Sequence, residues 1–302
     1  MRRARRGRER AVRSNLPSYE LVAPKSLGEV LALLDAERGA FRLLAGGTDV
    51  MVMLAAGKLP HTRYVSVWGL PELCGIEESR EHVTLGALTT YTDVQTNATL
   101  RREFPMLCEA GRETGGIAIQ NRGTLGGNIV NASPAADSPP ALLAYGAELE
   151  LVSAKGARWT PYDGFHTGYK KMTLAPNEIV ARVRLPRYAG ERVHFYRKVG
   201  PRRAQAISKV CFAGCADFDG AELREVRIAI GGVAPIIPRC HATEEVLREG
   251  GPTALADAKA ALAKEISPID DVRSNARYRR KVSENLLVDF VLRLKHHVGL
   301  GS

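Results

Sequence analysis

Two glycine-rich stretches carry the residue types best suited to holding phosphate. The first runs Leu43, Leu44, Ala45, Gly46, Gly47, Thr48, Asp49 and Val50, and the second Gly123, Thr124, Leu125, Gly126, Gly127 and Asn128. Paired glycines permit a tight turn and let backbone approach a ligand closely. The N–H groups of such turns, with short hydroxyl or amide side chains beside them, suit phosphate oxygens. Taken singly, each stretch reads equally well as a tight turn. Together, on the edges of two separate small α/β units, they describe a clamp on one pyrophosphate. Asp137, beyond the second stretch, is then placed to hydrogen-bond a ribose or an adenine edge. Such a dinucleotide cradle lies outside the Rossmann class, because G-x-G-x-x-G is absent. G-x-x-x-x-G-K-[ST], H-E-x-x-H and G-x-S-x-G are absent too, which removes the usual signals for nucleotide hydrolysis, zinc proteolysis and serine hydrolysis.

The elements that must position these stretches alternate along the chain. Ser26-Leu27-Gly28-Glu29 reads as a capping box opening a helix with Val30, Leu31, Leu33 and Leu34. Phe41 to Leu44, Arg63 to Val67 and His82 to Gly86 read as short strands, and Leu107 to Gly111 as helix. The whole stretch from Gly123 to Asp137, with Ser133-Pro134-Ala135-Ala136, is polar and turn-rich and reads as loop. Ala147 to Ser153 and Glu178 to Leu185 alternate apolar and charged residues, the period-two mark of half-buried antiparallel strands. Pro186 and Gly190 mark a boundary, after which strands are expected at Val193 to Val199, Ile207 to Asp217 and Leu223 to Ile230, followed by helices. The last helix, capped by Ser274, carries Val282, Leu286, Phe290 and Leu294 as one apolar stripe.

Composition bounds the rest. A chain of 302 residues, 45% hydrophobic and 25% charged, can bury a sizeable core and fill two or three domains. The net charge of +10 is concentrated at the start, where seven arginines between Arg2 and Arg13 face only Glu9. Residues 1–16 read as a basic, solvated extension rather than a nucleic-acid arm, and no apolar stretch follows to make them an export signal. No run is long and apolar enough for a membrane span, so neither nucleic acid nor membrane is expected as a partner. Cys74, Cys108, Cys211, Cys215 and Cys240 are odd in number and scattered, which fits buried thiols in the cytoplasm and gives no metal-ligand spacing. Met51 and Met53 are read as packing residues.

Three ordered motifs resemble the FAD-binding medium subunits of the molybdenum hydroxylases, the family of bacterial xanthine dehydrogenase and aerobic carbon monoxide dehydrogenase. They are Leu43 to Val50; Gln120 to Asn128 continuing to Ser133-Pro134-Ala135-Ala136-Asp137; and Lys198-Val199-Gly200-Pro201-Arg202-Arg203-Ala204-Gln205-Ala206-Ile207-Ser208-Lys209-Val210. The resemblance covers nearly the whole chain from about Pro17.

It implies an α+β protein: the two-subdomain FAD-binding fold of the p-cresol methylhydroxylase and vanillyl-alcohol oxidase type, then a small α+β domain with a three-stranded antiparallel sheet and helices. The expected divisions are 17–75, 76–188 and 189–302. By the resemblance, the first two motifs bind the FAD pyrophosphate, Asp137 contacts the adenosine half, Ile179 and Val180 pack near the flavin, and Lys198 lies close to it. No histidine falls in either glycine loop, so non-covalent FAD is expected. No side chain of this chain is assigned as a catalytic acid, base or nucleophile, and no metal ligand is assigned.

The molybdenum cofactor and 2Fe-2S clusters are expected only in partners, a molybdopterin-binding large subunit and a 2Fe-2S small subunit, joined in a dimer of heterotrimers. The expected activity is oxidoreductase, passing electrons from those clusters to NAD or another acceptor in a xanthine dehydrogenase-type complex. Ala204-Gln205-Ala206 stands where eukaryotic xanthine dehydrogenases carry acidic residues, while Asp49 and Tyr169 match positions near the nicotinamide side in NAD-using relatives. The alternatives are a stand-alone flavin oxidase, or the FAD subunit of a carbon monoxide- or other aromatic- or aldehyde-oxidising complex.

Overall fold

The computed structural model describes residues 18–202, 205–220 and 222–299; the Arg-rich start and Arg203-Ala204 of the third motif lie outside the described residues. A parallel sheet forms first, in the order Glu20–Val22, Arg63–Ser66, Arg42–Leu44. Parallel neighbours need crossovers, and helices Leu27–Ala36 and Val50–Ala55 supply them. Val30, Leu31 and Leu34 of the longer helix pack with Phe41, Val65, Val67 and Leu73. Ser26 caps that helix by accepting the Glu29 N–H at 3.2 Å, but the Glu29 carboxylate takes the N–H of Lys25, not of Ser26. The expected box is therefore displaced by one residue on its carboxylate side.

A five-stranded antiparallel sheet follows, ordered Ile76–Glu78, His82–Gly86, Ile179–Pro186, Glu148–Ser153, Gly156–Pro161. Val83, Leu85, Leu149, Leu151, Val183 and Leu185 turn to one face, as strict alternation requires. Helices between the second and fourth of these strands cover that face with Leu100, Phe104, Leu107, Leu142 and Tyr145. One expectation fails here. The stretch from Gly123 to Asp137 is not all loop: Leu125–Asn131 is a helix with Leu125, Gly126 and Ile129 buried. Two glycines and two asparagines hide it in the sequence; burial of one face, not propensity, holds it.

The last unit is an antiparallel meander, Glu191–Val199, Val210–Asp219 and Glu222–Gly231, with helices His241–Gly250, Leu255–Glu265 and Ala276–His297. Its central strand is covered on both sides, which explains its apolar run from Val210 to Ala216. Phe212, Ala216 and Phe218 enter the core shared with Phe290, while Cys211, Ala213 and Cys215 enter the core of the preceding unit. One strand thus divides its side chains between two cores at period two. Asn275, not Ser274, caps the final helix, its Oδ1 accepting the Tyr278 N–H at 2.8 Å. Leu286, Phe290 and Leu294 of the stripe are buried, with Val282 partly so. Cys74 is exposed, against expectation; the other four thiols are buried. Met51 and Met53 are also exposed rather than packed. Among the described residues no helix is long and apolar enough to cross a membrane, and no group of His, Cys, Asp and Glu forms a metal cluster.

Candidate functional site

The first glycine loop leaves the carboxyl end of strand Arg42–Leu44, at the edge of a parallel sheet where ligands commonly bind. The strand beside it returns the contact, Val67 N–H donating to the Leu44 carbonyl at 3.0 Å. Gly47 has φ +78°, a left-handed turn that turns the chain into helix Val50–Ala55. Among the described residues, the backbone N–H groups of Gly46, Gly47, Thr48 and Asp49 donate to no protein acceptor. Four consecutive unspent donors at a solvent-facing turn form a nest for an anion.

The structure brings the second loop directly against the first. A Cβ on Gly46 would fall 2.6 Å from the Arg122 carbonyl carbon, so glycine is the residue that lets the two backbones meet. Thr124 caps the short helix, its Oγ1 accepting the Gly127 N–H at 3.1 Å. The Gly126 N–H donates to the Ala87 carbonyl and the Asn128 N–H to the Thr124 carbonyl. These donors were expected to face phosphate; the fold spends them on itself, because they form the first turn of a helix docked on the antiparallel sheet. Asn128 Oδ1 likewise accepts the Ser138 hydroxyl at 2.7 Å. Lys170, at the tip of the hairpin His166–Gly168 and Lys171–Met172, closes the other end of the helix by donating to the Asn131 carbonyl and Oδ1.

Asp137 and Lys198 meet at the boundary with the last unit. Lys198 Nζ lies 2.7 Å from Asp137 Oδ2 and also donates to the Glu113 carbonyl, while the Ser208 hydroxyl donates to Asp137 Oδ1 at 2.6 Å. Tyr196 donates to the Asp137 carbonyl. Burial pushes the Asp137 carboxyl upward, opposed by the ammonium and the hydroxyl. Both carboxylate oxygens are thus engaged inside the protein, and Asp137 does not stand open to a ribose or adenine edge as expected. Ile179 belongs to the core of the first unit and Val180 to that of the second, so these residues stitch the two cores together at the start of their strand.

One pair near the first loop carries no local signal in the sequence. The Arg122 guanidinium lies 3.7 Å above the Trp68 ring. Arg122 sits inside a motif already singled out, but Trp68, in a strand-end context 54 positions earlier by residue number, gave no local signal of the stack.

A nest of unspent donors and two loops in backbone contact fit a nucleotide cofactor held outside the Rossmann class. Residues 17–188 match the family described as the FAD binding domain in molybdopterin dehydrogenase, and residues 195–294 the CO dehydrogenase flavoprotein C-terminal domain. The chain is 33% identical over 269 residues to the xanthine dehydrogenase FAD-binding subunit of Escherichia coli O157:H7, covering 87% of this chain and 90% of that one. It is 30% identical to the carbon monoxide dehydrogenase medium chain of Hydrogenophaga pseudoflava over 287 residues, 90% and 95% of the two chains. The solved carbon monoxide dehydrogenase from Hydrogenophaga pseudoflava superposes with a TM-score of 0.84 at 29% identity, covering 90% of this chain and 96% of that one. For the enzyme from Oligotropha carboxidovorans the TM-score is 0.86 at 25% identity, with 93% and 98% covered. The chain therefore belongs to the FAD-binding flavoprotein family of the molybdopterin dehydrogenases, and it is an oxidoreductase subunit.

Proposed function

We propose that this chain holds FAD non-covalently and relays electrons from the 2Fe-2S clusters of a small partner subunit to an acceptor such as NAD. A molybdopterin-binding large subunit would hydroxylate the substrate, in a xanthine dehydrogenase-type complex assembled as a dimer of heterotrimers. The observation that carries the reading is the meeting of the two glycine loops beside four unspent N–H donors. FAD, when bound, supplies an electron reservoir that fills one electron at a time and gives up two together.

The protein's part is placement. Gly46, Gly47, Thr48 and Asp49 would donate to the diphosphate from the first loop, with Leu43, Leu44, Ala45 and Val50 fixing that loop between strand and helix. Thr124, Gly126, Gly127 and Asn128 would form the opposite wall, built rigidly because their own hydrogen bonds are already satisfied. Ile179 and Val180 would close the apolar floor. The Asp137–Lys198 pair would hold the last unit against the cofactor side and keep a buried cation there. Asp49 and the exposed Tyr169 are the residues assigned to the acceptor side.

The relatives named for xanthine support the purine-oxidising branch, and those named for carbon monoxide the alternative. Replacing both Gly47 and Gly127 by valine tests the cradle. Purified variant should carry little flavin, and full occupancy would rule the assignment out.

A further inference from the structure

We propose that Arg122, stacked on Trp68, is the cation that grips the cofactor's diphosphate and gives the chain its preference for a dinucleotide flavin over a phosphate-free one. The inference rests on the FAD cradle proposed above and assigns a residue within it. Trp68 follows strand Arg63–Ser66, whose end is hydrogen-bonded to the first loop through Val67 and Leu44. The Arg122 carbonyl abuts Gly46 of that same loop. The stacked pair therefore stands at the carboxyl edge of the parallel sheet, where the two loops touch.

Charge singles Arg122 out. A diphosphate brings two negative charges to a loop that already holds Asp49, and backbone donors alone supply only partial positive charge. Lys170 is committed to Asn131 and Lys198 to Asp137. Among the described residues Arg122 makes no ion pair and no side-chain hydrogen bond, its one contact of this kind being the Trp68 face. Stacking leaves every guanidinium N–H free in the plane of the group, which suits two-point donation to phosphate oxygens, and holds the fork in place before the ligand arrives.

The test is titration of the full-length apo-protein with FAD, ADP and riboflavin by fluorescence or calorimetry, for the wild type, Arg122→Gln, Arg122→Lys and Trp68→Ala. Loss of a charge-assisted phosphate contact should weaken FAD and ADP by about tenfold or more in Arg122→Gln and leave riboflavin unchanged. Arg122→Lys should fall between, Trp68→Ala should weaken FAD without abolishing binding, and added salt should weaken the wild type more than Arg122→Gln. Unfolding midpoints should stay together, since the guanidinium is exposed. FAD affinity of Arg122→Gln within about twofold of wild type, or an equal loss for riboflavin, overturns the proposal alone. A wild-type chain that binds no FAD overturns the cradle and with it this assignment.

Discussion

At the scale of single residues, the site depends on two kinds of atom that a side-chain list does not separate: donors left unspent and donors already used. Both glycine loops look alike in the sequence, and residue type alone marked them as phosphate-binding. Their difference comes from tertiary docking, which commits the N–H groups of Gly126, Gly127 and Asn128 to Ala87 and Thr124 and leaves those of Gly46 to Asp49 without a protein acceptor. Gly46→Ala forces two backbones apart and should cost about 1–3 kcal/mol and most of the bound flavin. Gly28→Ala, where a Cβ meets nothing nearer than 3.8 Å, should instead raise stability by up to about 1 kcal/mol. Denaturant unfolding of the pair measures both signs. Lys198→Met strands a buried carboxylate and should cost about 3 kcal/mol near neutral pH. Asp137 is held above the usual carboxylate range by burial, so lowering the pH protonates it and should shrink that deficit. A deficit that grows as the pH falls would contradict the pairing.

At the scale of elements, period-two alternation made strands His82–Gly86, Glu148–Ser153 and Ile179–Pro186 legible, since each has one buried face. Helix Leu125–Asn131 was not legible, being seven residues held by contacts distant in sequence. Adjacent capping residues Ser274 and Asn275 are equivalent in type, so the true cap emerged only from the fold. The double role of strand Val210–Asp219 was likewise hidden, because an apolar run does not say which core each side chain joins. Phe290, stacked on Phe195 and tilted against Phe212, anchors the final helix to that strand. Phe290→Ala should cost about 3–5 kcal/mol, read from the denaturation midpoint.

The seam between units also carries a titrating group. Met106 N–H donates to the Tyr145 oxygen, which also lies 3.1 Å from His194 Nδ1 at the buried seam. Burial, with Arg192 adding repulsion, lowers the His194 pKa to about 4 from the ordinary 6.5. The unfolded chain then binds the extra proton between those values, and stability contributed by neutral His194 is full above about pH 6.5 and lost as the pH falls toward 4. The stability difference between wild type and His194→Gln should therefore narrow over that window; a difference flat with pH would remove His194 from the account.

At the scale of the whole molecule, the fold places a parallel sheet, an antiparallel sheet and a meander so that each boundary supplies one part of the proposed site. The first boundary brings the glycine loops together, and the second buries Asp137 against Lys198. Domain order and motif order were legible from sequence because the loops fall at element ends. Their physical contact was not, because it joins residues 76 apart in number, Gly46 and Arg122. The most direct test of the central claim is the absorption spectrum of the purified chain, followed by acid release and chromatographic identification of the flavin. FAD released at about one per chain is the result expected of a non-covalent cradle. A colourless protein that also fails to take up added FAD would contradict it.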